Sequence, residues 1–596
     1  MSRMMKTALL LLTAIGCTPG DDPTENPPPP PWGVPISGGN LVVTRDGAAV
    51  IADADRDRIL MIDLATQGVL GEVAVPGDEP GRVLEDGSGR VHVALRRGGA
   101  LLTFTNGRSS EMLARRQICA EPRGIAWEQA TDLVHVACAG GELVSLPAGG
   151  GAAVRTLRLD RDLRDVIVSG NRLVVTQFRS SQLMTIDATG SVLARTAPPT
   201  VQRFGATDFD DFGSSGLVDA VPAVAWRTIA LPNNRLLVSH QRQVKGKLKV
   251  EEGGYGGGCG GKGPVESALT IVEAGLPPAA VVPFVQGALP VDLAVSPNGQ
   301  LVAVATAGDN MVRTATVGTL NSRDDDKCGP GPRGPNGPGG EDDDGDDLGT
   351  PTSIAFTASN DLVIYYPESP ALVVRKVTTG GGASSTIPLP GTFGYDAGRS
   401  LFHGQTAIGL ACASCHPEGR DDGAVWTFEG FGTRRTQSLA GNILARGPYH
   451  WVGDMDDLGV LMDDVFANRM AGGEVTRSQR VSLGPWLDRV PTPAPVATTN
   501  LAAVERGREL FNATGCATCH SGTLFTNNRL VDVGTGGKFK VPSLLGIAAR
   551  APFMHTGCAG TLRDRFTSCG GGDAHGVTSA MAPAQIDDMV AYLESL

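Results

Sequence analysis

Up to about residue 390 the chain alternates short apolar runs with turn residues. "NLVVT", "RVHVAL", "DLVHVAC", "NRLVVTQ", "NRLLVSH", "QLVAVAT" and "DLVIYYP" are rich in β-branched residues and bounded by Gly, Pro, Asn or Asp, which predicts strands. Most precede a second run, such as "RILMIDL", "ELVSLP" or "QLMTIDA". Similar starts recur at "GGNLVV", "PGRVLE", "PRGIAW", "LRDVIV", "VPAVAW", "PVDLAV" and "PTSIAF". The early spacings are about 40 residues, the length of one four-stranded propeller blade. The seven starts predict an all-β seven-bladed propeller over residues 36–390, with a pair of β-sandwiches as the alternative. The longer intervals hold two loops, "KVEEGGYGGGCGGKGP" and the acidic "NSRDDDKCGPGPRGPNGPGGEDDDGDDLG".

After residue 390 the period becomes helical. "YDAGRSLFHGQ" and "VERGRELFNATG" are matching segments, and "APAQIDDMVAYLESL" carries Ile586, Met589, Val590 and Leu593 at helical spacing. This predicts two mainly α-helical lobes, residues 391–495 and 496–596, related by an internal duplication and joined by "VPTPAPVATT". The whole chain reads as a multidomain protein.

Each G-R-x-L-F segment precedes a C-x-x-C-H pentapeptide: "CASCH" at Cys412 to His416 and "CATCH" at Cys516 to His520. In this motif Cys412 and Cys415, or Cys516 and Cys519, add to the two vinyl groups of a haem. His416 or His520 then becomes the proximal iron ligand. The expectation is two covalent haems c in cytochrome-c-like lobes, with Phe402 and Phe511 packed near them. A zinc site would use both pairs as thiolates and needs no histidine after each. A thioredoxin-like C-x-x-C needs a βαβ context that the flanks lack.

Haem c is attached outside the cytoplasm, and the N-terminus suits export. "MSRMMKTALLLLTAIGC" has a short basic region and an apolar core too short to span a bilayer. It ends in "AIGC", similar to a bacterial lipobox, so residues 1–17 are expected to be a lipoprotein signal with Cys17 as the lipidated residue; plain secretion is the alternative. Residues 18–35 are a proline-rich tether. The expected location is the bacterial cell envelope, periplasmic or surface-exposed, on a lipid anchor. Of 11 cysteines, one takes lipid and four hold haem. Six remain: Cys119, Cys138, Cys259, Cys328, Cys558 and Cys569. An exported protein would pair them as three disulfides, nearest neighbours being 119–138, 259–328 and 558–569, among 15 arrangements. The net charge of −12 comes without a basic stripe, which argues against nucleic-acid binding. The acidic loop does not match EF-hand spacing.

"GRSLFHG…ACASCHPEGRDDGAVWTF", then "GTRRTQSLAG" and "PYHWVGDMDDL", resembles the N-terminal lobe of the bacterial di-haem cytochrome c peroxidase/MauG superfamily. "VPSLLGIAARAPFMHTGCAGTLRDRF" is similar to its C-terminal lobe. The preceding repeats resemble a YVTN/NHL-like propeller. The resemblance covers about the last 200 residues. It implies an electron-relaying tryptophan at Trp451, an inter-haem histidine at His555 and sixth-ligand candidates for the C-terminal iron at His575 or Met581. His450, or more remotely His403, is the candidate distal ligand or acid–base group on the N-terminal iron. The family's inter-haem calcium is a weak candidate here, because Arg435 stands for its asparagine and Arg550 for a threonine. Thr556 stands for the family's aspartate after His555.

Three function classes follow. The first is peroxide-dependent oxidation or peroxide reduction, with electron transfer between two haems. The second is electron transfer without turnover, with the propeller docking a partner. The third is an interaction module with structural or sensory haems. The expected partners are an electron-donor or acceptor protein and peroxide or another small oxidant, with membrane contact through the lipid anchor only.

Overall fold

A computed structural model describes residues 34–204, 217–256, 263–273, 281–282, 287–318, 348–377 and 383–596. The expected signal segment with Cys17, the expected tether up to residue 33, Cys259, Cys328 and the acidic run lie outside these residues.

The N-terminal part folds as successive antiparallel sheets, seven among the described residues. The first takes Leu41–Val43, Ala48–Asp53, Arg58–Asp63 and Gly68–Ala74 in sequence order. The others begin at Pro80, Pro122, Leu163, Val201, Pro290 and Ser353, and the last strand is Ser384–Pro388. Period-2 alternation makes both faces of each sheet apolar. Val50 and Ala52 pack against the second sheet with Val91 and Val93. Ala49 and Ile51 face the other way, against Val363 and Leu372 of the seventh. Apolar clusters likewise join each sheet to the next, and the seventh packs back on the first. Exposed fourth strands such as Met112–Gln117 and Val192–Thr196 lie at the rim. This is a propeller-like arrangement. Cys119 and Cys138 form a disulfide within it, with Cα atoms 6.4 Å apart.

Charged residues fill its centre. Asp165 pairs with Arg82 at 3.1 Å and Arg227 at 3.2 Å, and Arg227 also pairs with Asp292 at 3.2 Å. These come from four different sheets.

The helical region follows. In each half a helix bearing G-R-x-L-F crosses a terminal helix: Ala397–His403 against Arg477–Asp488, and Leu501–Ala513 against Pro583–Glu594. The glycine of the motif sits at the crossing. A Cβ on Gly398 would overlap the Ser482 carbonyl, and one on Gly507 the Asp588 carbonyl. The aromatic partners are also matched, Phe402 with Trp486 at 5.0 Å and Phe511 with Tyr592 at 5.2 Å between ring centres. Each half adds a hairpin, Val425–Phe428 with Gly432–Arg435 and Leu530–Asp532 with Lys538–Lys540. A bridge follows each, Tyr449 to Met455 and Phe553 to Ala559. A second disulfide joins Cys558 and Cys569. No helix among the described residues is long and apolar enough to cross a membrane.

The segment after His416 joins the two parts. Glu418, buried and with φ of 55°, accepts from Arg96 at 2.8 Å and Arg164 at 2.6 Å, with Arg123 at 3.7 Å. Burial alone would raise the Glu418 carboxyl, but Arg96, Arg164, Arg123 and Arg420 together hold it well below its usual range. Arg420 reaches back to Glu121 at 3.0 Å. The insertion between two strands of the fifth sheet supplies a second junction. Lys247–Leu248 pairs in parallel with Thr427–Phe428, and the Tyr255 amide donates to Arg469 O at 3.1 Å.

Candidate haem-binding site

Both pentapeptides open onto one cavity of about 740 Å³ between the helical halves. Its lining includes Cys412, Cys415 and His416 from the first half, and Cys516, Cys519 and His520 from the second. Cys412–Cys415 is a single helical turn ending at His416, and Cys516–Thr518 does the same before His520. A turn of this kind puts the two sulfurs and the imidazole on one side. Phe402 and Phe511 line the cavity, as their motif predicts.

Each candidate proximal histidine has one nitrogen tied down. His416 Nδ1–H donates to Arg420 O at 3.2 Å, and His520 Nδ1–H donates to Phe525 O at 3.1 Å. A carbonyl in this role fixes the tautomer and ring orientation of a metal-binding imidazole. Burial lowers both basicities, that of His520 to about 4, so the rings are neutral. Burial pushes the Cys412 thiol up to about 12 and Cys415 well above the usual range. Among the described residues no three His, Cys, Asp or Glu side chains converge as a metal cluster.

The two halves meet in a reciprocal exchange. The Arg435 amide donates to His555 O at 2.7 Å, and the Lys540 amide donates to Trp451 O at 2.8 Å. Arg435 and Lys540 end the equivalent hairpins. Their side chains are also exchanged: Arg435 Nη2 donates to Arg550 O and Lys540 Nζ to Arg446 O. Trp451 and His555 lie at this junction, ring centres 6.2 Å apart. The Trp451 indole N–H donates to Arg435 O at 2.7 Å, and His555 stacks on Phe539 at 3.8 Å.

The resemblance's remaining candidates separate. His575 lines the cavity with its ring centre 6.4 Å from that of His520 and the planes 33° apart. That spacing suits two imidazoles on one metal, with bonds of about 2.0 Å each. Burial, then Arg565 and His520, lowers His575 to about 3. Met581 packs beside the cluster of Phe511, Leu562 and Met589. His450 lines the cavity, with Nδ1 bonded to Asp454 Oδ1 at 3.0 Å. His403 is a structural link: Nδ1–H donates to Arg399 O at 2.8 Å, and Nε2 accepts from the Ile36 amide at 3.2 Å. Arg435, which the resemblance sets in the place of a calcium ligand, is itself hydrogen-bonded. Arg435 Nη2 lies 2.8 Å from Asp421 and also donates to Arg550 O, so a cationic group already takes these oxygens.

Met470 and Tyr255, like Arg446 and Lys540, are wall residues that were not read from the sequence. Met470 is buried in the lining just ahead of Arg477–Asp488, much as His575 precedes Pro583–Glu594. That parallel in the duplicated halves was the available signal. Tyr255, from the glycine-rich insertion, lies against Phe428 at 6.1 Å and reaches the same wall. Nothing local in "GGYGGG" points there.

The donor set fits covalent haem. Arg446, Lys540 and Arg550 line the cavity and bond to carbonyls: Arg446 Nη2 to Leu439 O and Ala440 O at 2.9 Å, Lys540 to Arg446 O, and Arg550 to Ser543 O. Burial lowers Arg446 to about 10, Arg550 to about 9 and Lys540 to about 8. The Arg446 Nε atom is buried without a hydrogen-bond partner among the described residues. Haem propionates would supply the anions that these cationic groups lack.

Residues 504–596 match the family of cytochrome c domains. This stretch is a cytochrome c domain. Its presence implies covalently bound haem c and supports haem-based electron transfer. No curated protein matches the chain. Among solved structures, a chain of Kuenenia stuttgartiensis hydrazine synthase is 17% identical, with a TM-score of 0.43, over 61% of this chain and 100% of that one. A streptogramin B lyase is 12% identical, with a TM-score of 0.37, over 56% and 92%. A virginiamycin B lyase from Staphylococcus aureus is 12% identical, with a TM-score of 0.28, over 60% and 85%. Likenesses this distant carry no functional argument. The cytochrome c domain holds His520 and His575, and the first half repeats its helix crossing and pentapeptide without falling inside the match.

Proposed function

We propose that the chain is an exported bacterial di-haem c-type cytochrome, with a closed seven-bladed propeller fused ahead of its two haem lobes. One observation carries this: both C-x-x-C-H turns, with carbonyl-tethered histidines, open onto one cavity with Trp451 and His555 between them. Covalent haem supplies one-electron transfer, and activation of peroxide where an axial position is open.

The chain's own residues divide the work. His416 and His520 would hold the irons, and His575 would be a further ligand in the C-terminal half. Arg446, Lys540 and Arg550 would hold the propionates. The apolar wall of Leu248, Phe428, Val465 and Leu487 excludes water. His450, oriented by Asp454, is placed to take or give a proton in the N-terminal half, where peroxide would be reduced or used as oxidant. Trp451 carries the electron between halves, because its indole is large, polarizable and oxidisable. Cys17 anchors the protein to the membrane, and a small redox protein exchanges electrons with it.

Absorption and EPR spectra of the oxidised and half-reduced protein, with and without peroxide, test the reading. It expects a low-spin C-terminal haem, an open N-terminal haem in one redox state, and a peroxide-dependent change. If both haems stay low-spin in every state and peroxide alters neither, the enzyme reading fails. Met470 favours that second outcome: a buried thioether at the N-terminal wall is a suitable iron ligand and would make this an electron carrier without turnover.

Trp451→Phe should leave both haem spectra unchanged and slow peroxide-driven turnover by at least about tenfold, or about 1.4 kcal/mol in the barrier. Stopped-flow turnover measures it, and an unaltered rate would remove Trp451 from the path. Cys17→Ala should move the protein from the membrane to the soluble fraction; wild type already soluble would overturn the anchor.

A further inference from the structure

One propeller side chain touches both haem lobes. Arg179 follows the strand Arg172–Gln177 of the fourth sheet. Its Nε bonds Asp162 Oδ2 at 3.1 Å, and its amide donates to the same oxygen at 2.9 Å. Its Nη1 donates to Asp421 Oδ1 of the first lobe at 2.9 Å and to Ala551 O of the second at 3.1 Å. Asp421 in turn binds Arg435 Nη2 at 2.8 Å. Arg435 joins the lobes through its amide on His555 O, and its carbonyl accepts the Trp451 indole N–H. A continuous series of bonds therefore runs from the propeller's Asp162 to the aromatic pair at the lobe junction.

We propose that Arg179 is a positioning residue through which the propeller fixes the spacing of the two lobes, and with it the rate of electron transfer between the haems they hold. The inference rests on the two-haem reading above. In the step concerned, the reduced haem loses one electron and the oxidised haem gains it; no bond forms or breaks, and no further reactant is needed. A guanidinium suits the role because its rigid fork spans two acceptors at once. Lysine offers a point charge on a flexible stem, and alanine offers nothing. Asp421 keeps Arg435 as a partner when Arg179 is removed, so its charge stays compensated and the lobes stay folded. What is lost is their registration, and electron transfer between two haems slows as their separation and relative orientation drift.

The test uses Arg179→Ala and Arg179→Lys in the holoprotein, with three readouts: haem count, hydrogen exchange at the Arg435 and Lys540 amides, and the inter-haem rate after flash or pulse reduction. In Arg179→Ala both amides should exchange at least about tenfold faster and electron transfer should slow reproducibly below the wild-type rate, with propeller amides unchanged. Arg179→Lys should fall between. Two haems per chain with unchanged exchange or an unchanged rate would overturn the proposal. Slowing together with faster exchange throughout the propeller would also overturn it, since that is general loosening. One haem per chain in wild type would instead sink the two-haem reading beneath it.

Discussion

Glu418→Gln should cost about 3–5 kcal/mol of stability and loosen the haem lobes from the sheets. The carboxylate is about 1% exposed and sits among Arg96, Arg164 and Arg123, with Arg420 close by. Removing its charge leaves buried guanidinium groups facing one another. The amide preserves shape and one acceptor but does not compensate them. The group's pKa is depressed in the folded protein, so its contribution is fully present above the unfolded carboxyl pKa. It is lost as pH falls through the folded value. Denaturant midpoints followed by tryptophan fluorescence and haem absorbance would measure the effect. A variant with the wild-type midpoint would show that the junction is held by other contacts.

His575→Ala should convert the C-terminal haem from six-coordinate low-spin to high-spin while leaving the other haem's spectrum unchanged. The expected change is complete for one haem because the opposing imidazole is a single group, 6.4 Å from His520 between ring centres. Alanine provides no donor atom, and Met581 is engaged in packing. Added imidazole should restore the low-spin spectrum by entering the vacated space. Ferric EPR and the long-wavelength absorption bands report both results. A low-spin C-terminal haem in His575→Ala would assign the ligand elsewhere.

Legibility in the sequence followed the range of the signal. The strand starts "PGRVLE", "PRGIAW", "LRDVIV", "PVDLAV" and "PTSIAF" open sheets, because alternation and turn residues are local. "VPAVAW" instead falls within Leu217–Leu231, preceded in its sheet by Val201–Phe204. The G-R-x-L-F repeat was legible as a duplication, and the structure adds why its glycine is needed: two helices touch there. The junction was not legible. Glu418 lies 322 residues from Arg96 and 254 from Arg164 in sequence, and "PEGRDD" looks like a solvated turn. The same holds for Arg179, whose partners Asp421 and Ala551 are 242 and 372 residues away. His450 was a candidate from its place beside Trp451 in "PYHWVGD"; its hydrogen bond to Asp454, four residues on, holds Nδ1 and leaves Nε2 for the cavity. Arg435 was read against calcium from its charge alone; its hydrogen bonds to Asp421 and Arg550 O, 115 residues apart in the second case, were not legible.

The account stands on two haems facing one cavity, and a pyridine haemochrome assay combined with intact mass of the denatured protein tests that most directly. It should give two covalent haems per chain, falling to one in Cys516→Ser with Cys519→Ser and leaving the haem on Cys412 and Cys415 attached. A single haem in wild type, or none surviving denaturation, would contradict it.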